Sequence, residues 1–84
     1  MVECDDQAEI DYFWGKLTEG GEESVCGWLK DKFGLSWQIT PKVLGDMLKD
    51  GDTEKVEAVT ATFLTMKKLE IGRLQRAYEE GRPN

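Results

Sequence analysis

The sequence of 84 residues contains no histidine and only two cysteines, and no apolar run is long enough to span a bilayer. The lack of histidine excludes Ser-His-Asp and Cys-His nucleophilic pairs. It also excludes the side chain that most often ligates metals or moves protons near neutral pH. Acid–base work falls to Asp, Glu, Lys or Tyr, and metal binding to carboxylates, amide oxygens or thiolates. Cys4 and Cys26 are too far apart to form a zinc pattern. No signal-peptide pattern opens the chain, so a reducing, cytoplasmic setting with two free thiols is expected. Cys26 falls in an apolar strand pattern, where a small buried thiol is expected.

Basic residues are also scarce. Eleven Lys and Arg stand against 17 Asp and Glu, a net charge of −6. Neither a nucleic-acid backbone nor an anionic membrane surface suits such a balance, since both need a basic face. What remains is a chain of globular composition, 39% hydrophobic and 33% charged. Its length allows one domain, residues 1–84, with a core small enough to gain from a partner chain.

The pattern along the chain alternates between two periods. Met1 to Cys4 reads as a short strand. Asp5 and Asp6 then offer N-cap carboxylates, and Ile10, Phe13, Trp14 and Leu17 recur at helical spacing. Gly20-Gly21 ends that helix, and Glu22-Glu23-Ser24 reads as a polar lead-in. Val25–Lys30 and Leu35–Ile39 are rich in aromatic and branched residues and read as a hairpin, with Gly34 placed for a positive φ. On its second strand Leu35, Trp37 and Ile39 face one way, Ser36 and Gln38 the other. Thr40 and Pro41 open a second helix as N-cap and first turn, with Val43, Leu44, Met47 and Leu48 on its face. A third helix starts at Asp52 or Thr53 and carries Val56, Val59, Phe63 and Met66. A fourth runs from Leu69 to Tyr78, with a tail over residues 79–84. The fold class is therefore α+β: a βαββ unit followed by helices.

Two blocks are distinctive: Ile10-Asp11-Tyr12-Phe13-Trp14 with Lys16-Leu17 and Gly20-Gly21-Glu22, and Cys26-Gly27-Trp28-Leu29-Lys30-Asp31-Lys32-Phe33-Gly34-Leu35-Ser36-Trp37-Gln38-Ile39 with Pro41 two residues on. With Met66-Lys67-Lys68 they closely resemble the PhnB-like family, labelled 3-demethylubiquinone-9 3-methyltransferase, of the glyoxalase/bleomycin-resistance/dioxygenase superfamily. The resemblance covers the C-terminal half of a usual member. It implies one of two modules that together enclose a cavity, within a chain or across a dimer. A homodimer, or a partner supplying an N-terminal module, is thus implied. The usual metal-ligand position at the end of a module's last strand falls on Gln38, a glutamine where the superfamily places glutamate. The first-strand ligand, often histidine, has no histidine to fill it. No catalytic residue is assigned. Trp28, Trp37 and Gln38 are candidates to line the cavity, with Gln38 the one metal candidate. The cofactor is unknown, a divalent metal or none.

Three functions are consistent with these features. The first is a small-molecule-binding or structural dimer without its own catalytic centre. The second is a metal-dependent small-molecule enzyme, a lyase or related, completed by dimerisation. The third is the methyltransferase of the family label, although Gly20-Gly21 follows a helix and lacks the Gly-x-Gly spacing of a nucleotide-binding turn. The bland readings stand beside them. The three tryptophans serve a core or interface, Glu22 and Glu23 are solvated, and Lys67-Lys68 complements a helix end.

Overall fold

A strand of only three residues cannot persist alone, so the first question is what β1 (Val2–Cys4) pairs with. In the computed structural model, which describes residues 1–83, it lies parallel to β4 (Ser36–Pro41), with Val2 opposite Ile39, Glu3 opposite Thr40 and Cys4 opposite Pro41. Between them the chain runs through helix α1 (Gln7–Thr18), strand β2 (Glu22–Glu23) and strand β3 (Trp28–Lys30). The sheet order is β1-β4-β3-β2, and every pair except β1–β4 is antiparallel. The architecture is α+β, as the periodicity implied, with one strand more than the βαββ unit expected from sequence.

That extra strand is Glu22–Glu23. Two glutamates carry no apolar alternation, so the sequence gives no strand signal there; pairing with Leu29 and Lys30 makes the strand. Gly21 allows the approach. A Cβ at this position would lie 2.1 Å from the Lys30 carbonyl oxygen. The next segment also departs from expectation. Val25 to Gly27 form a turn rather than the start of a strand, with Cys26 at φ 59° and Gly27 at φ 79°. Cys26 is half-buried at this turn instead of sitting in an apolar strand. The backbone N–H groups of Cys26 and Gly27 donate to the carbonyls of Met66 and Lys67, 2.7 and 2.8 Å away.

α1 starts as the Asp5-Asp6 pattern suggests: Asp6 is the N-cap and accepts from the Glu9 N–H. Its Ile10 and Trp14 pack on Cys4, Leu29 and Ile39, so α1 covers one face of the sheet. At the end of β4, Thr40 and Pro41 belong to the strand, and α2 (Lys42–Leu48) follows without a side-chain cap. Pairing with β1 takes both residues, which moves the helix start one position beyond the expected Pro41. α3 (Thr53–Phe63) begins behind its Asp52 cap, and α4 (Ile71–Glu80) ends at Gly81 in the left-handed conformation. Lys67 and Lys68 lie between α3 and α4 rather than at a helix end, and Lys68 pairs with Asp11 at 2.8 Å.

A second core forms among these helices from Leu44, Met47, Val59, Met66, Leu69 and Leu74. The Tyr78 hydroxyl donates to the Asp50 carboxylate, fastening the end of α4 to the α2–α3 connection. Gln7 joins the two cores. Its amide nitrogen donates to the Leu69 carbonyl at 3.1 Å, and its amide oxygen accepts from the Ile71 N–H at 2.8 Å. Gln7→Ala removes both links and leaves the Ile71 N–H at the start of α4 without its acceptor. We expect a loss of about 1–3 kcal/mol in urea unfolding. A loss indistinguishable from zero would mean that the helices dock without this bridge.

Candidate functional site

Strand alternation sorts the sheet residues into two sets. Val2, Cys4, Leu29, Trp37 and Ile39 face α1. Glu3, Thr40, Gln38 and Trp28 share the opposite face, because register places Glu3 beside Thr40 and Trp28 beside Gln38. Trp28 there is 43% exposed, a large apolar surface left to solvent. Leu64, 54% exposed, follows α3 beside the Cys26 turn, where the Cys26 thiol reaches its carbonyl.

At the β1–β4 end of this face the sheet meets the helices in a cleft of about 280 Å³. Glu3, Gln38 and Thr40 supply its polar side. Met1 from the chain start, Leu44 and Leu48 from α2, and Phe63 from α3 supply the apolar wall. Gln38 is held in place: its Nε2 donates to the Cys26 carbonyl at 3.2 Å. That turn is itself fixed to β4 by the Ile39 N–H, which donates to the Gly27 carbonyl at 2.8 Å.

The three cavity candidates from sequence thus separate. Gln38 lines the cleft, and Trp28 stands beside it on the same face of the sheet. Trp37 lies on the other face, against the α1 core, with its indole N–H donating to Asp31 at 2.9 Å. The residue that sequence reasoning missed is Glu3. A glutamate in a three-residue strand carries no signal of its own, and only the parallel register with β4 brings it beside Thr40 and Gln38. As for metal binding, one copy offers Glu3 and Gln38 as oxygen donors lining the same cleft. No group of three or more His, Cys, Asp or Glu able to hold a metal occurs among the described residues. A hard divalent cation takes six or more oxygen ligands, so this pair does not fit one without donors from elsewhere.

Several other ionisable groups serve the fold. Burial, and then the carboxylates of Glu9, Asp5 and Asp6, push the Cys4 thiol up, which keeps it protonated and unreactive. Glu23 accepts the Trp14 indole N–H at 2.9 Å, so it is not simply solvated. Asp50 and Asp52 serve the Tyr78 bridge and the α3 cap.

Residues 1–40 match a family model described as 3-demethylubiquinone-9 3-methyltransferase. The matched segment runs from β1 to the penultimate residue of β4 and holds the first distinctive block and all of the second but Pro41. It contains Glu3, Trp28, Gln38 and Thr40; the helices that form the apolar wall lie outside it. No curated protein matches the chain. Among the described residues, no helix is long and apolar enough to cross a membrane.

The hairpin that carries Gln38 depends on Asp31. Its carboxylate accepts from the Trp37 indole and from the backbone N–H groups of Phe33 and Leu35. These bonds, the Trp37 one first, hold Asp31 below the ordinary carboxylate range. A carboxyl group with a lowered folded pKa stabilises the fold above its unfolded value, roughly 3.9, and that contribution is lost as pH falls through the folded value. The Trp37 indole N–H resonance should therefore hold steady from neutral pH to about 4 and move below it, with no such transition in Asp31→Ala. An identical acid transition in the variant would show that another group controls the hairpin.

Proposed function

We propose that this chain is a small-molecule-binding module without a self-sufficient catalytic centre. The sheet face opposite α1 forms one wall of its site, and a second module, in the first instance another copy, supplies the other wall. One observation carries the reading. A sheet face with exposed Trp28 at its middle ends in a cleft that combines three polar side chains with an aliphatic and aromatic wall. Apolar clefts with a few convergent polar groups are the usual form of small-molecule sites. Exposed apolar surface on a small domain is the usual mark of an interface. The family match over residues 1–40 supports the reading, since a glyoxalase-type module is half of an enclosed cavity.

A second reading is a metal-dependent small-molecule enzyme completed by dimerisation. Glu3 and Gln38 favour it as oxygen donors on β1 and β4 that line one cleft. Two copies facing each other would double those donors, and a bound divalent ion would then act as a Lewis acid. The methyltransferase activity in the family description draws less from this chain. Gly20 and Gly21 are occupied with ending α1 and admitting β2, and the one parallel strand pair is not a doubly wound sheet.

Native mass spectrometry with and without added divalent metals tests the first two readings together. A dimer is expected at tens of micromolar. Trp28→Glu alters an exposed side chain and should weaken that dimer about tenfold or more. A monodisperse monomer would remove the paired-module reading. A dimer carrying stoichiometric metal, lost in Gln38→Ala, would favour the enzyme.

A further inference from the structure

We infer that the helical half of the molecule is a hinged lid on the cleft: α2–α4 move as one body about Lys42 and, in swinging away from the sheet, open the site to its ligand. The inference rests on the proposed binding role of this cleft and adds how entry to it is controlled. The chain passes from sheet to helices once, at the Pro41–Lys42 junction. Every buried member of the sheet core comes from residues 4–39, and every buried member of the helical core from residues 44–74. Two cores joined by one covalent crossing can shift relative to each other without either being unpacked. Pro41 is fully buried and held in β4 opposite Cys4, whereas Lys42 is exposed and opens α2 with no side-chain cap. Those constraints put the pivot at Lys42.

The fastening between the halves gathers on one segment, residues 66–71. The N–H groups of Cys26 and Gly27 reach the carbonyls of Met66 and Lys67, and Lys68 pairs with Asp11. Gln7 holds both the Leu69 carbonyl and the Ile71 N–H. Apolar contact at this seam comes from Ile71 against the sheet core and from Leu69 beside Gly27. When the lid opens, water replaces each polar partner, and a hydrogen bond exchanged for water costs little net. The Lys68–Asp11 and Lys42–Asp5 pairs are exposed and add little to the fastening. Unfolding, by contrast, exposes a whole core, so opening at the seam lies below it in free energy. The motion acts on the cleft because its two walls belong to different halves. Glu3, Gln38 and Thr40 stand on the sheet; Leu44, Leu48 and Phe63 stand on the lid.

Amide hydrogen exchange of the full chain over a urea series tests the lid. The Cys26, Gly27 and Ile71 N–H groups are donors at the seam, so they should exchange through one shared opening with a shallow urea dependence. The slowest amides of α1, β4 and α3 should exchange only through global unfolding, with a steep one. Gln7→Ala should speed exchange at Cys26 and Gly27 about tenfold, although neither bonds to Gln7. Should that variant fail to fold, Asp11→Asn weakens the exposed Lys68 pair and should act in the same direction by about twofold. Benzyl alcohol, followed by NMR line shapes at Thr40 and Leu44, links opening to entry. Gln7→Ala should quicken its association and dissociation alike, by about that tenfold, and leave its affinity little changed. Seam amides that share the rates and urea dependence of the core amides, or that ignore both substitutions, overturn the lid; saturable benzyl alcohol shifts would still leave the cleft standing as a binding site. Unchanged benzyl alcohol kinetics beside faster seam exchange overturn the gating of the cleft. If benzyl alcohol shifts neither residue saturably, the binding role of the cleft falls and the gate with it.

Discussion

The parallel pairing of β1 with β4 is the contact on which the rest of the molecule depends. It joins residues 2–4 to residues 39–41, the two ends of the segment that forms the sheet. Three residues give this pairing few hydrogen bonds, so its stability comes from what it buries: Cys4, with Ile39 and Leu29, under Ile10 and Trp14 of α1. Because side chains alternate along a strand, committing Cys4 to the helix side commits Glu3 to the opposite side. The polar edge of the cleft is thus a consequence of core packing on the other face. A slip of one residue in β1 would bury Glu3 and expose Cys4, at the cost of desolvating a carboxylate.

The helical half is attached by directional contacts rather than by a shared core. The two apolar clusters are separate, with Ile71 at the border of the sheet cluster. Between them run the Gln7 bridge and the paired N–H donations from Cys26 and Gly27 to Met66 and Lys67. The Cys26-Gly27 turn explains why this position needs glycine. A Cβ on Gly27 would lie 2.8 Å from the Ile39 carbonyl oxygen, besides the cost of its positive φ. One turn therefore anchors Gln38, ties β4 to β3 and docks the α3–α4 connection.

Much of this was legible in the sequence where a residue's role depends on near neighbours. The α1 face, its aspartate cap, the Asp31–Gly34 turn and the Asp52 start of α3 follow from spacing and local hydrogen bonding, and the structure places them there. What the sequence obscured depends on distant partners. Glu22 and Glu23 form a strand through the edge they meet. Val25 and Cys26 have strand-like composition but bend toward Met66 and Lys67, forty residues away in sequence. Thr40 and Pro41 resemble a helix opening, and β1 claims them. For the site, the alternation Trp37–Gln38–Ile39 correctly put Gln38 opposite Trp37. It could not indicate Glu3, whose relevance arises only from the parallel register, nor the side of the sheet that α1 would cover.

The cleft draws on two parts of the chain, the sheet and the helices that follow it. The polar residues Glu3, Gln38 and Thr40 lie within the matched segment, whereas Leu44, Leu48 and Phe63 come from helices beyond it. The two parts have different physical duties. Oriented polar groups on a sheet fix the chemical class of what binds, because each donor or acceptor left unpaired costs more than an apolar contact gains. An apolar wall sets size and shape, and it tolerates substitution provided volume is kept. Helices of different length or packing set against the same strands would change the size of what is accommodated while leaving the polar side intact. Under the proposed binding role, the helical wall is thus the part expected to set the size and shape of what the cleft holds.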